Sequence, residues 1–403
     1  MPPILSDLAM SPAAKLFGQA FRGLDPRNWK AGSPTEAIAI GIHSLRSGLF
    51  FAESLPLFWI QRPRGDENLQ PLPAGAIETT LSRLRELLER DAELIGQGIA
   101  PLSVLTPRDP FGHLTRLLRI LADSRSISTR RRKHREKEFR GDAKRWLDDL
   151  PAYYQRNFHY QTDGYLSERS ADLYEHQVEL LFRGGADAMR RMILPPMKAH
   201  FGDHDGQGLR FLELGSGTGG ATQSVARAFP RAKISCLDLS YPYTKHAQKQ
   251  LREFDRVECI QGDASALEFG DARFDAVYSV FLFHELPLPV RELALDEARR
   301  VLRPGGFFGL VDSLQMGDDE ELDWALEFFP RQFHEPYYAH YTANPMEGLL
   351  EEAGFTEIEC RTGYLAKCLS ARAPSEIDGD DDLDLDSNTT CGGMDQSVSF
   401  STA

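Results

Sequence analysis

Residues 212–220 read Leu-Glu-Leu-Gly-Ser-Gly-Thr-Gly-Gly, an apolar run that breaks into alternating glycines. The apolar half fits a short buried strand and the glycine half a turn into a helix. Without side chains, Gly215, Gly217 and Gly219 leave bare backbone facing whatever lies beyond the strand's carboxyl end. Such a run alone also fits a tight turn made only for strand–helix packing, so its surroundings must decide. Glu213, two residues before Gly215, sets a carboxylate where it would repel a pyrophosphate and would suit a ligand bearing an ammonium group. The following strand ends at Asp238 in SCLDLS, about twenty residues on, where a carboxylate accepts both hydroxyls of a ribose. Gly262-Asp263-Ala264 follows a third strand and offers a carboxylate to the exocyclic amine of adenine. Together these describe a site for a nucleoside with a cationic amino-acid arm rather than for a dinucleotide.

Outward from the turn, strands and helices alternate. Strands are expected over 209–214, 233–239, 257–260, 274–281 and 306–312, with helices over 219–229, 243–254, 291–302 and 345–353. That alternation implies a parallel sheet wrapped by helices. Strands over 356–361 and 364–370, joined by a tight turn at Gly363, lie too close for a crossover helix and must be antiparallel.

This arrangement resembles the class I methyltransferases, from about Leu209 to Ser370. FDAVYSVFLFHEL (274–286) looks like their fourth-strand motif and LRPGGFFGLVD (302–312) like their entry into the fifth strand. The likeness is nearest to the small-molecule branch that includes ubiquinone/menaquinone and sterol-type enzymes. It implies a Rossmann-like α/β sheet in the order 3-2-1-4-5-7-6 with the last strand antiparallel, and S-adenosyl-L-methionine as cofactor. By the same resemblance, Glu213 and Gly215 hold the methionine end, and Gly217 and Gly219 line its path. Asp238 takes the ribose, Leu239 lies against the adenine, Asp263 and Ala264 meet its edge, and Ser279 and Val280 floor the site near the sulfonium.

Methyl transfer needs an aligned acceptor, exclusion of water and, for some acceptors, removal of a proton. His284 and Glu285 follow the fourth strand directly and are the catalytic candidates: His284 as a base, because imidazole titrates near neutrality, or as a strand cap that Glu285 orients. FPRQFHEPYYAHY (329–341) crowds His334, Glu335, Tyr337, Tyr338 and Tyr341 into the stretch that would cover an acceptor, and suits an apolar or planar one. The alternative is a packed aromatic insertion. Tyr165 and Tyr174, from the tyrosine-rich stretch 153–174, are candidates for a lid, or else dock the N-terminal helices. Neither His-Glu pair has HExxH spacing, so no metal is expected.

The remainder divides into an irregular arm with short helices (1–70), a helical lid region (71–205), the cofactor-binding domain (206–372) and an acidic, disordered tail (373–403). Within the second, helices are expected over 77–95 and 113–122, and one or two over 167–192, ending near Pro195-Pro196. A basic run, Arg130 to Arg135, reads as a solvated helix face or as a contact for an anion or lipid headgroup. The chain of 403 residues carries a net charge of −14, a poor match to nucleic acid. The five cysteines make no CxxC pair and read as reduced thiols. No stretch reaches the ~20 apolar residues of a membrane span, so a cytoplasmic protein is expected. The reading is a small-molecule methyltransferase. The alternatives are an inactive cofactor-binding subunit and a protein methyltransferase; a nucleic-acid amino-methylating enzyme is disfavoured because SVFL stands where NPPY or DPPY would be.

Overall fold

Seven strands form one sheet in the order β3-β2-β1-β4-β5-β7-β6. They are β1 (Arg210–Leu214), β2 (Lys233–Asp238), β3 (Val257–Gln261), β4 (Phe274–Val280), β5 (Leu302–Ser313), β6 (Thr356–Gly363) and β7 (Ala366–Arg372). The order, and the reversed direction of β7 in its sixth place, are those expected of the class I methyltransferase sheet. β1 to β5 run parallel, and β7 is antiparallel to both β5 and β6. The chain is seen in a computed structural model that describes residues 25–26, 29–61, 72–107 and 109–375. All but the first three residues of the expected tail, and residues 1–24 of the expected arm, lie outside the described residues.

Central strands are buried on both faces, which is why they read as unbroken apolar runs. Four residues of β1, Phe211–Leu214, are buried, as are all but one residue of β4. The covering helices are α1 (Pro34–Gln61), α2 (Ala76–Gly96), α3 (His113–Arg132), α4 (Glu168–Leu181), α5 (Ala186–Arg191), α6 (Leu194–Phe201), α7 (Gly220–Ala228), α8 (Tyr241–Gln250), α9 (Leu288–Val301), α10 (Asp323–Gln332), α11 (Tyr338–Ala343) and α12 (Met346–Glu352). The N-terminal helices share one core with the sheet: Leu84, Leu88, Met189 and Ile193 join Phe211, Phe229, Ile234 and Phe307 in a single cluster. In β5, a Cβ added to Gly309 would sit 2.4 Å from Ile193, so glycine gives the room that docks this layer. Among the described residues no helix is long and apolar enough to cross a membrane.

Several local readings change. The 28-residue helix α1 stands where an irregular arm was expected. Its buried stripe is helical in period, but His43, Ser47, Glu53 and Ser54 alternate in it with Ala39, Ile40, Phe50 and Phe51, and the polar members hide the apolar repeat. Pro195 and Pro196 open α6 rather than end a helix, as suits the first turn, whose N–H groups lack intrahelical partners anyway. The β6–β7 turn takes its left-handed residue at Tyr364 (φ 57°), not at Gly363. Helix α3 runs ten residues past its expected end and takes in the first part of the basic run. Arg130 is buried there, donating from Nε to the Tyr160 carbonyl at 2.8 Å and bonding Thr162, so it belongs to the fold rather than to a solvated face. Cys236 and Cys259 face each other as free thiols across β2 and β3, Sγ to Sγ 3.0 Å.

One buried ion pair fastens the helical layer. Arg191 of α5 donates Nε and a terminal nitrogen to the two oxygens of Asp91 on α2, each at 2.7 Å, and His43 of α1 meets the same carboxylate at 2.9 Å. Arg191 is 1% exposed and Asp91 4%. Removing one partner strands the other charge in the core, so Asp91→Ala is expected to cost about 3–5 kcal/mol in urea denaturation. Arg135→Ala, which breaks a half-exposed i,i+3 pair with Glu138, should cost less than about 1 kcal/mol.

Candidate functional site

The carboxyl ends of β1, β2, β3 and β4 open on a cleft. Its floor is backbone of Gly215, Gly217 and Gly262, and one side is formed by Leu237, Asp238, Leu239, Asp263 and Ala264. Phe281, Leu282, Glu285, Leu286 and Val290 make the other side, and Tyr153, Tyr154, Tyr165, Tyr174 and Tyr243 close the roof. The rings leave a free volume of only about 70 Å³.

Asp238, at the last position of β2, is the fixed point. Its Oδ2 accepts the Gly217 N–H at 2.7 Å and its Oδ1 the Ser240 N–H at 2.8 Å. Asp238 lines the cleft, and each oxygen retains a further acceptor position. Burial pushes the carboxyl up to about 6, with the two N–H bonds pulling against it. Gly217 takes φ 55° and faces open space, a Cβ there meeting only Tyr174 at 4.0 Å. Gly219 has a different duty: it begins α7 with φ 86°, and a Cβ would lie 2.8 Å from Leu251.

Glu213 does not line the cleft. It is 1% exposed beneath the turn, accepting from the hydroxyls of Thr222 on α7 and Tyr278 on β4, the latter at 2.9 Å. Burial raises it to about 7, against those two bonds. Gly219 is also off the wall, and so are Ser279 and Val280. The Ser279 hydroxyl donates to the Leu214 carbonyl at 2.8 Å, which turns it into the sheet. The chain leaves β4 through Phe281 at φ 57°, and this turn swings Phe281 and Leu282 to the wall in place of the two preceding residues.

At the other end of the cleft, Glu285 and His284 part company. Glu285 lines the wall and accepts the Tyr165 O–H at 2.5 Å. His284 lies behind, buried among Phe281, Tyr338 and Tyr341, with Nδ1 2.5 Å from Asp312 Oδ1. Asp312, fully buried at the end of β5, also accepts the Phe283 N–H at 2.8 Å. Burial alone would lower the His284 imidazole, but Asp312 outweighs it and lifts the group to about 9. The ring is therefore positive at neutral pH, which departs from the neutral base that its ordinary titration suggests.

A residue that the sequence did not mark joins this end. His159 Nδ1 lies 2.9 Å from Glu335, and its Nε2 3.7 Å from Glu285. Burial would lower His159, but Glu335 and Glu285 raise it to about 10. Glu335 thus reaches the cleft only through His159. These three offer ligand atoms within 4.8 Å of one another, but an imidazolium held between two carboxylates already supplies the cation. The other residues of the aromatic stretch pack around them. His334 lies against Tyr160, and Tyr341 donates to the Ser313 carbonyl at 2.8 Å. Tyr338 bonds the Ser313 hydroxyl at 2.7 Å, and the Tyr337 carbonyl accepts from Arg291 at 3.1 Å. The expected acceptor cover is thus a packed insertion buttressing the site, while the cleft's roof comes from the earlier tyrosines.

Residues 211–306 match the family model described as a methyltransferase domain. A fatty-acid O-methyltransferase of Mycolicibacterium smegmatis is 38% identical over 128 residues, 32% of this chain and 46% of that protein. A malonyl-[acyl-carrier protein] O-methyltransferase of Geobacter sulfurreducens is 32% identical over 155 residues, 37% of this chain and 57% of that protein. The chain thus spans about half the length of the curated relatives it matches. Among solved structures, human N-acetylserotonin methyltransferase in complex with SAM is 17% identical, covering 84% of this chain and 96% of that one at a TM-score of 0.46.

The raised imidazoles fix a sign for pH dependence. A histidine lifted on folding contributes stability that is whole below its unfolded value of about 6.5 and is lost as pH climbs through the folded value. For His284 that window runs from about 6.5 to about 9. The melting temperature of the wild type should therefore fall across it more steeply than that of His284→Gln. Parallel curves would show that His284 is not charged in the folded protein.

Proposed function

We propose that this chain transfers the methyl group of S-adenosylmethionine to a small apolar or aromatic acceptor, with the methyltransferase domain over residues 211–306 as its cofactor-binding part. Asp238 carries the reading: a buried carboxylate, oriented by two backbone N–H groups, that lines the cleft. It would take the ribose hydroxyls, with Leu239 against the base and Asp263 and Ala264 at its edge. Gly217 gives the backbone approach, and Glu213 holds the turn from beneath through Thr222 and Tyr278. When bound, the cofactor supplies a methyl group already activated as a sulfonium, so the protein needs no further electrophile.

The acceptor end follows from the wall. Phe281, Leu282, Leu286 and Val290 offer an apolar surface, and the tyrosine roof excludes water. Glu285 is placed to accept a proton at its carboxylate from a hydroxyl acceptor, with Tyr165 and His159 fixing its direction. His284 is a positioning residue behind it, its Nε2 3.9 Å from the Glu285 carboxylate and its other nitrogen tied to Asp312. The two relatives bear O-methyltransferase names for acyl compounds, which makes apolar carboxylic acids and hydroxyl compounds the first acceptors to try.

Calorimetry with the full chain should show binding of S-adenosylmethionine, weakened in Asp238→Ala by ~1.5–3 kcal/mol, the range for a hydrogen bond to a charged group. Labelled methyl should pass to long-chain carboxylic acids or phenols, and His284→Ala should lower kcat while leaving the cofactor Kd unchanged. Binding of NADH with no response to the methyl donor would overturn the cofactor reading. Label appearing only in added protein would make this a protein methyltransferase. Binding without transfer to any acceptor would leave a cofactor-binding subunit.

A further inference from the structure

A second cavity, of about 720 Å³, lies between the N-terminal helices and the sheet domain and shares no lining residue with the cofactor cleft, although α4 and α8 border both. Leu45, Leu49 and Leu105 give it apolar sides, and His113 and His176 line it where they meet Glu53. Glu53 is on α1, His113 begins α3 and His176 is on α4.

We propose that Glu53, His113 and His176 form a binding site for a divalent transition-metal cation, which fastens α1, α3 and α4 to one another. The three side chains offer ligand atoms within 4.8 Å of one another. His113 Nε2 lies 2.5 Å from Glu53 Oε1, and His176 Nε2 3.0 Å from Glu53 Oε2. Both imidazoles thus present the same nitrogen to one carboxylate, one to each of its oxygens. They are held there by packing: the Phe50 ring stands 6.0 Å from His113 and 5.6 Å, edge on, from His176, and the two imidazoles lie 4.3 Å apart. Glu53 and His176 are 8% and 3% exposed at the side chain, while His113, at 29%, is the side through which an ion enters.

The donor set differs in kind from His159, Glu285 and Glu335. There one imidazolium neutralises two carboxylates. Here two imidazoles share one carboxylate, so nitrogen donors outnumber the carboxylate, as in sites that hold zinc or a similar ion with water in the open positions. The two His–Glu separations need widen by only about 1 Å or less to match the edge of a tetrahedron with the ~2.0–2.2 Å bonds of a zinc ion. The chain gives no local signal for this, because Glu53 lies 60 residues from His113 and 123 from His176.

The test uses the full chain, untagged and freed of metal by a chelator. Titration with Zn²⁺ in a calorimeter should show one site per chain, and Co²⁺ should give the visible absorption of a tetrahedral or five-coordinate ion with nitrogen ligands. Zn²⁺ should raise the melting temperature, as any ligand of the folded state alone does. His113→Ala and Glu53→Gln, with unchanged far-ultraviolet circular dichroism, should weaken uptake at least about tenfold. His159→Ala should leave it unchanged. A wild type that takes up no ion would overturn the proposal whatever the variants do, and so would uptake lost in His159→Ala but kept in His113→Ala.

Discussion

Asp238 accepts two backbone N–H groups, and most of the site depends on that double attachment. One donor belongs to the glycine turn after β1 and the other to the residue that caps α8. The capping residue, Ser240, accepts the Tyr243 N–H and gives its own hydroxyl to the Tyr165 carbonyl. A single carboxylate therefore sets the distance between turn, strand end and aromatic roof. The same bonds keep it oriented and at the cleft despite its burial.

A second level of organisation is the charge behind the acceptor end. Two imidazoles, His159 and His284, are each lifted above neutrality by buried carboxylates, Glu335 and Asp312. Both stand within 4 Å of Glu285. The carboxylate on the wall is thus backed by two positive rings that are themselves anchored. The insertion over α10 and α11 exists largely to bury these anchors, with Tyr338 and Tyr341 packed on His284 and Phe329 and Phe333 on His159.

The sheet was legible because a buried parallel strand must be apolar throughout and a strand-to-helix turn must spare its backbone. Asp238 and Asp263 could be placed by counting along that alternation. Glu213 was visible as a carboxylate beside the turn, but not that it points beneath it, since Thr222 and Tyr278 compete for it. Ser279 and Val280 were expected at the floor, whereas Phe281 and Leu282 line the wall, and nothing in the letters announces the left-handed backbone at Phe281 that brings them there. His159 and Asp312 escaped notice for another reason. Their partners lie far along the chain, and only tertiary packing brings a lone histidine or a strand-end aspartate to the site. Helix α1 was obscured by the polar members of its own buried stripe, two of which, His43 and Glu53, are buried because each meets a polar partner from another helix.

The roof carries a consequence for the speed of the protein. Tyr165 is stacked on Phe158, meets Tyr174 and Tyr243 edge to face, and is tied to Glu285. The space beneath, about 70 Å³, is well below the ~300 Å³ at which small-molecule sites begin. A nucleoside therefore enters or leaves only when the rings part, and parting them moves segments rooted in the N-terminal helices. Exchange of the proposed ligand becomes a segmental motion against solvent drag, on a timescale of microseconds to milliseconds. The rate of such a step follows the viscosity of the medium, whereas a chemical step at the strand ends does not.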